Sequence, residues 1–234
     1  NGANFLNEQG LISFMGRANY GYDNRYLFTA TVRRDGSSVL APGHQYFTYP
    51  AFGLGWNISN ETFMSGVSFV SNLKLRGGWG RTGNQGVAPY ATLGALSTST
   101  YNFGQGAAGQ ESAYTVTQLA NKELGWQSTS QVDIGLDFGL FKNRVNGSID
   151  VYNQKTKDIL LPYQLPPSNG AGSTIKNLGK TKGHGIELNL TSINIQSKEK
   201  NGFTWNTDLN FYFNREEITF LTAPKDLMNI GNGW

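Results

Sequence analysis

Apolar and polar residues alternate with a period of two in eight stretches of this chain, and no apolar set contains a charged residue. The apolar positions of the first half are Ile12, Phe14, Ala18 and Tyr20; Tyr26, Phe28, Ala30 and Val32; Pro50, Phe52, Leu54, Trp56 and Ile58; and Leu73, Leu75, Gly77 and Trp79. The second half continues with Val132, Ile134, Leu136 and Phe138; Val145, Ile149 and Val151; Ile186, Leu188 and Leu190; and Phe203, Trp205, Leu209, Phe211 and Phe213. The intervening positions hold Arg17, Lys74, Arg76, Asp133, Asp137, Asp150, Glu187 and Asp208. A strand sends successive side chains to opposite faces, so the pattern predicts eight strands, each with an apolar and a polar face. It also sets the register. Slipping the fourth strand by one residue would move Lys74 and Arg76 onto the apolar side, at about 2–4 kcal/mol each where that side meets mid-bilayer lipid.

The connections alternate in length as strictly as the residues alternate in polarity. Short or moderate ones fall near residues 21–25, 59–72, 139–143 and 193–202, and longer ones near 35–46, 83–126, 154–181 and from 215 onward. Successive connections of an antiparallel meander lie at opposite ends, so every long one shares an end. A soluble sandwich has no reason to sort its loops this way, whereas an outer-membrane barrel has tight periplasmic turns and long extracellular loops. Aromatic residues gather near the strand ends as two girdles would, with Tyr20, Tyr22, Tyr26, Trp56, Phe138, Phe141, Phe203 and Trp205 toward the short turns and Phe47, Trp79 and Phe213 toward the long loops. The expected fold is therefore all-β, an antiparallel transmembrane β-barrel in the bacterial outer membrane. The first strand starts, and the eighth finishes, at the long-loop end, whereas complete barrels keep both termini in the periplasm. Residues 1–234 are thus expected to be about eight consecutive strands of a larger barrel, with long extracellular loops near 83–126 and 154–181.

Composition narrows the function classes. Charged residues are 15% of the chain, against about 25% in ordinary soluble domains. The mean hydropathy is nonetheless −0.39, because Asn, Gln, Ser and Thr dilute the apolar residues, and no apolar run reaches the length of a membrane helix. A net charge of +3, spread along the chain, offers nucleic acid little to hold. With no cysteine, thiol catalysis, zinc–thiolate sites and disulfides are excluded, and His44 and His184 lack metal-ligand spacing. No catalytic residue, metal site or cofactor is expected. The stretch LRGGWGRTGNQG places Gly78, Gly80 and Gly83 in the G-x-G-x-x-G spacing of dinucleotide-binding turns. The residues after Gly83 have no helical period and the first acidic residue is Glu111, so the nucleotide reading fails. Gly78 and Gly80 share a face with Lys74 and Arg76, where they leave room in a lumen or bend the strand. In RRDGSS, Arg34 and Asp35 are expected to pair at the rim while Asp35-Gly36 makes the turn. Asp133, Asp137, Glu187 and Asp208 read as polar lumen residues rather than a glycosidase pair.

Six segments, YLFTATVRRDGSSVL, YPAFGLGWNISNETF, LKLRGGWGRTGNQ, NKELGWQSTSQVDIGLDFGLF, NLGKTKGHGIELNL and NFYFNREEITFL, together resemble the barrel of SusC-like (SusC/RagA) TonB-dependent outer-membrane transporters of Bacteroidetes. The resemblance spans most of the chain in the family's order. It departs at Gly183, where the family often has Asn, and at Lys122 and Gln127, where Pro and Glu are usual. It implies a barrel of about 22 strands with a plugged lumen, a plug domain and TonB-contacting segment outside these residues, and a SusD-like surface lipoprotein as a lid over the long loops. It further implies active import of large nutrients, oligosaccharides or peptides.

Two other readings stand beside transport: a structural subunit of a larger outer-membrane assembly, and a soluble carbohydrate-binding β-sandwich. Under the transport reading the partners are the lipoprotein, TonB and the lipid bilayer. The candidate substrate- or lid-facing loop residues are Tyr101, Phe103, Tyr114 and Tyr163, whose flat rings suit sugars, peptides or a protein lid.

Overall fold

A computed structural model describes residues 6–104, 110–197, 199 and 202–221. One sheet contains ten strands. They are β1 (Leu11–Tyr22), β2 (Tyr26–Ser37), β3 (Tyr46–Asn57), β4 (Val70–Asn84), β5 (Ala95–Asn102), β6 (Gln110–Gln118), β7 (Gln127–Leu140), β8 (Val145–Gln164), β9 (Ser173–Ile195) and β10 (Trp205–Leu221). Eight of them match the alternating stretches and form an antiparallel meander, β1-β2-β3-β4-β7-β8-β9-β10. Among the described residues β1 pairs with β2 alone and β10 with β9 alone, so the sheet stays open.

The strands depart from expectation in the long connections. Within 83–126, β5 and β6 form a hairpin, from Ala95↔Gln118 to Asn102↔Gln110, that joins β9 by one parallel bridge, Gln118↔Ser173. Its sequences, ALSTSTYN and QESAYTVTQ, are rich in Ser and Thr and carry too few apolar residues on either face for a period-two test to detect. The expected loop 154–181 is mostly the continuation of β8 and β9, leaving a turn between Gln164 and Ser173. Register shifts between Lys157 and Leu160, with Asp158 at φ 58°, break the alternation there and conceal the strand. Likewise β10 runs on to Leu221 past a shift between Ile218 and Phe220. At the other end Ile58 leaves β3 for a short 3-10 turn, and Phe203 precedes β10.

Register places the two side-chain sets on opposite faces as predicted. Leu75 lies across from Leu136, Gly77 from Ile134, Phe52 from Trp79, and Ile149 from Leu188, which itself faces Phe211. The other face carries Lys74 opposite Asp137, Gly78 opposite Asp133, and Asp150 opposite Glu187. An ion triad ties three strands together on that polar face. Arg76 of β4 donates two hydrogen bonds to Asp137 of β7, both 2.8 Å, and one to Asp150 of β8 at 2.9 Å. Gly135 lies between them, where an added Cβ would sit 2.8 Å from the Arg76 guanidinium carbon. A glycine is what lets the cation reach across β7.

The short-turn end is held by local contacts. Asp23 and Asn24, both at φ 51°, are the first two residues of the three-residue turn 23–25 between β1 and β2, closed by the Arg25 N–H donating to the Tyr22 carbonyl at 3.0 Å. Glu61, between two 3-10 turns, accepts hydrogen bonds from the Tyr26 hydroxyl (2.7 Å), the Trp56 indole (2.9 Å) and Arg25 (3.2 Å). These bonds, led by that from Tyr26, hold its carboxyl below the usual range.

The long-loop end holds the buried core of the described residues. Leu40 and Leu124, 1% and 0% exposed, pack with Val39, Ala41, Tyr49, Ala91 and Trp126, against Phe47, Val87, Leu160 and Ile175. The Ala41 N–H donates to the Leu124 carbonyl (3.0 Å) and the Trp126 indole to the Gln45 carbonyl (2.9 Å). Asn177 of β9 bonds both the N–H and the carbonyl of Gly125, each at 3.0 Å, and Asn121 donates to the Ile175 carbonyl at 2.7 Å.

Three outcomes are expected for the full-length chain. Arg76→Met should lower stability by about 1–3 kcal/mol, because it strands two half-buried carboxylates, and Asp137→Asn in the same chain should restore part of it, as read by urea unfolding. Leu124→Ala should cost about 2–5 kcal/mol locally and expose residues 119–126 to protease while the strands stay protected. Because the folded pKa of Glu61 is depressed, its contribution is complete above the ordinary carboxylate pKa and is lost as pH falls through the folded value. Glu61→Gln should therefore flatten the acid limb of a stability–pH curve below about pH 4.5, and lower stability at neutral pH.

Candidate functional site

The long-loop end offers the surface with the most varied chemistry, and the core just described positions it. That core anchors residues 85–94 and 119–126, the two stems from which β5 and β6 arise. The Leu119 N–H donates to the Ser173 carbonyl at 2.9 Å and the Thr174 hydroxyl to the Leu119 carbonyl at 3.1 Å, next to the parallel bridge. Since β6 runs parallel to β9 at this bridge, the β5–β6 hairpin extends past the β8–β9 turn, away from the apolar wall. Eight paired residues at about 3.4 Å each give it a reach of roughly 25 Å.

The four aromatic residues singled out from sequence occupy three places. Tyr101 and Tyr114 both lie on the hairpin, 58% and 70% exposed. Tyr101 stands opposite Glu111 and Tyr114 opposite Thr98, which puts the two rings on opposite faces. Phe103 follows β5, 77% exposed, with its ring 4.8 Å from that of Tyr101. Tyr163 is in β8 rather than in a loop, half-buried, with the Lys176 ammonium 4.8 Å above its ring. Tyr101 and Phe103 thus form a pair, while Tyr114 shares its face with Leu96 and Val116, both exposed. The register of the hairpin decides this grouping, and the spacing of the tyrosines alone does not reveal it.

A second feature was not legible as a site. On the polar face, below the loop layer, a cleft of about 410 Å³ is lined by Arg17, Arg33, Asp35, Tyr49, Arg81 and Gly83, among others. Arg33 pairs with Asp35 at 2.7 Å, since residues two apart share a face of β2. This corrects the expected Arg34–Asp35 pair. Arg34, on the opposite face, lies 5.3 Å over the Tyr46 ring instead. The expected Asp35-Gly36 turn is also displaced, because both residues belong to β2, and the chain reverses after Ser37. The Arg81 guanidinium lies 5.1 Å over Phe47, and the Tyr49 ring crosses Gly83, where an added Cβ would come within 2.5 Å of the hydroxyl. This close approach, together with the Asp133 carboxylate lying 2.9 Å from where a Cβ of Gly78 would be, accounts for two of the four glycines in LRGGWGRTG. The inward carboxylates form no isolated pair. Asp137 and Asp150 are neutralised by Arg76, and Asp208 accepts a hydrogen bond from Thr191 at 2.7 Å.

Comparison with known proteins places this architecture. The chain is 37% identical to TonB-dependent receptor P3 of Formosa agariphila over 225 residues, which is 96% of this chain and 22% of that protein. It is also 37% identical to TonB-dependent receptor SusC of Bacteroides thetaiotaomicron, over 92% of this chain and 21% of that one. Among solved structures, the RagAB peptide transporter superposes with a TM-score of 0.81 at 28% identity, covering 91% of this chain and 22% of that one. The chain therefore spans about a fifth of the length of the relatives it matches. The family profile described as TonB dependent receptor-like, beta-barrel runs through residues 4–234, from the first strand through the loop layer to the last, and the chain belongs to that family.

Proposed function

We propose that this chain supplies wall and exterior loops to an outer-membrane active importer of large nutrients, oligosaccharides or peptides. The loop layer faces the cell exterior and docks a SusD-like surface lipoprotein as a lid, while TonB acts through a plug segment of the same protein. The observation that carries this reading is the likeness to SusC and to the RagAB peptide transporter across nine-tenths of the chain. The geometry agrees with it: a charge-free apolar band across one face of the eight-strand wall, a charged opposite face, and the loop elaboration at one end. In this reading the open edges at β1 and β10 pair with further strands of the same barrel, since an unpaired edge in lipid leaves backbone groups unbonded. The apolar face then lies against acyl chains, and residues 1–234 form one section of the barrel.

Lid and nutrient meet the β5–β6 hairpin. Its Tyr101–Phe103 pair and, on the other face, Tyr114 with Leu96 and Val116 present apolar area edged by Ser, Thr and Gln without a dense charge. Deleting residues 100–116 from the full-length protein leaves the wall ladders intact and should leave the barrel heat-resistant in gels. Lid affinity or nutrient uptake should fall by about 30-fold, as for loss of an aromatic anchor worth about 2 kcal/mol. Unchanged uptake together with unchanged lipoprotein copurification would remove the hairpin from the site.

A further inference from the structure

The apolar face of β8, β9 and β10 turns basic at one boundary. Cross-strand rows on this face read Ile149–Leu188–Phe211 and then Val151–Ile186–Phe213. The next row is Asn153–His184–Arg215, the one after it Lys155–Lys182–Glu217, and the last Lys157–Lys180. In the β8–β9 ladder no register shift falls from Val151↔Ile186 to Lys157↔Lys180, and the shift between Ile218 and Phe220 adds its extra residue to β10, so the β8 and β9 side chains stay on the face that carries the apolar band. The lysines, His184 and Arg215 are all exposed. In the ladder rows at the same boundary β2, β3, β4 and β7 carry Arg34, Thr48, Arg81 and Ser130, at most one cation to a strand, so cations are densest on the three adjacent strands β8, β9 and β10.

Two rows place lysine directly across from lysine, Lys155↔Lys182 and Lys157↔Lys180. Like charges opposite one another destabilise a ladder. Glu217 answers one of them, through Lys182 at 2.7 Å, and Lys180 lies 5.0 Å from the Phe220 ring. Among the described residues Lys155 and Lys157 have no acidic partner. An anion entering between the rows removes the repulsion and is held by several cations at once.

We propose that this patch binds the phosphate of an anionic lipid headgroup at the edge of the membrane, an inference that rests on the outer-membrane reading above. The position selects a lipid over a free ion. Lys155 is four residues beyond Val151, about 13 Å along the strand and about 9 Å along the membrane normal at a tilt near 45°. A headgroup layer is roughly 5–8 Å thick per leaflet, and lysine stems bend back toward it along an apolar surface. A phosphate held there by Lys155, Lys157, Lys180 and Arg215 leaves its acyl chains against Val151, Ile186 and Phe213. One molecule thus satisfies both the basic rows and the apolar rows.

The test uses the full-length protein, inserted into phosphatidylcholine vesicles with or without bis-phosphorylated lipid A, then extracted in detergent and assayed for retained lipid. Lysine-to-glutamine substitution at 155, 157 and 180 together should weaken lipid A retention by about 100-fold, about fivefold for each lysine. The triple lysine-to-arginine variant should retain it, and both variants should keep the heat-resistant barrel. Equal retention by the glutamine variant and the unsubstituted protein, in barrels that have inserted, would overturn the proposal and leave the importer reading intact. Inorganic phosphate displacing lipid A at equal concentration would show a free-ion site and overturn the lipid assignment. Failure of the unsubstituted protein to insert into any vesicle would overturn the outer-membrane reading and this proposal with it.

Discussion

Backbone pairing between neighbouring strands is the constraint on which the rest of this structure depends. Each strand of the wall satisfies its N–H and C=O groups only through the next, and the period-two pleat then assigns every side chain to a face. A slip at one pair would move Lys74 and Arg76 among Leu73 and Leu75. The Arg76 triad is placed to resist it, since its bidentate bond to Asp137 and its reach across Gly135 to Asp150 hold β4, β7 and β8 in a single register. A glycine in mid-strand is ordinarily a weakness. Here it is the gap through which three strands are tied.

The two ends of the sheet are organised by different physics. At the short-turn end Glu61 gathers donors from Arg25, Tyr26 and Trp56, and the turns need no core of their own. The long-loop end requires one, because segments of this length cannot leave their backbone groups and apolar side chains unpaired. Residues near 40, 90 and 124 come together over the extended β8–β9 pair and bury Leu40 and Leu124 almost completely. A membrane wall turns its apolar side chains outward. The loop layer packed in this way gives the β5–β6 hairpin a firm base.

Much of this is legible in the sequence. Eight wall strands, their faces and register, and the sorting of connections to two ends follow from where charge is absent, as at Phe52, Leu54, Ile134 and Leu188. The hairpin was not legible, because Ser97, Thr98, Ser99 and Thr100 alternate one hydroxyl with another and betray no face. The upper parts of β8 and β9 were hidden by the irregularity at Asp158, which shifts the phase of the pattern without ending the strand. The candidate aromatics are legible as residues, but their places are not. Tyr163 proved to be a wall-strand residue, and Tyr101 and Tyr114 back onto opposite faces of one hairpin.

The sequence by itself therefore determined what depends on near neighbours along the chain: which residues form the wall, and which side of it each one faces. It could do so because a period of two is a local property, and because a charge on the wrong face costs more than a strand can recover elsewhere. Only the tertiary structure decided which distant residues meet. Arg33 takes Asp35 while Arg34 turns to Tyr46, Asn177 clamps Gly125, and Lys155 is set against Lys182. Those encounters are set by strand register, by bulges and by how the loops fold over the rim, and residues 52 positions apart carry no mark of one another in the sequence.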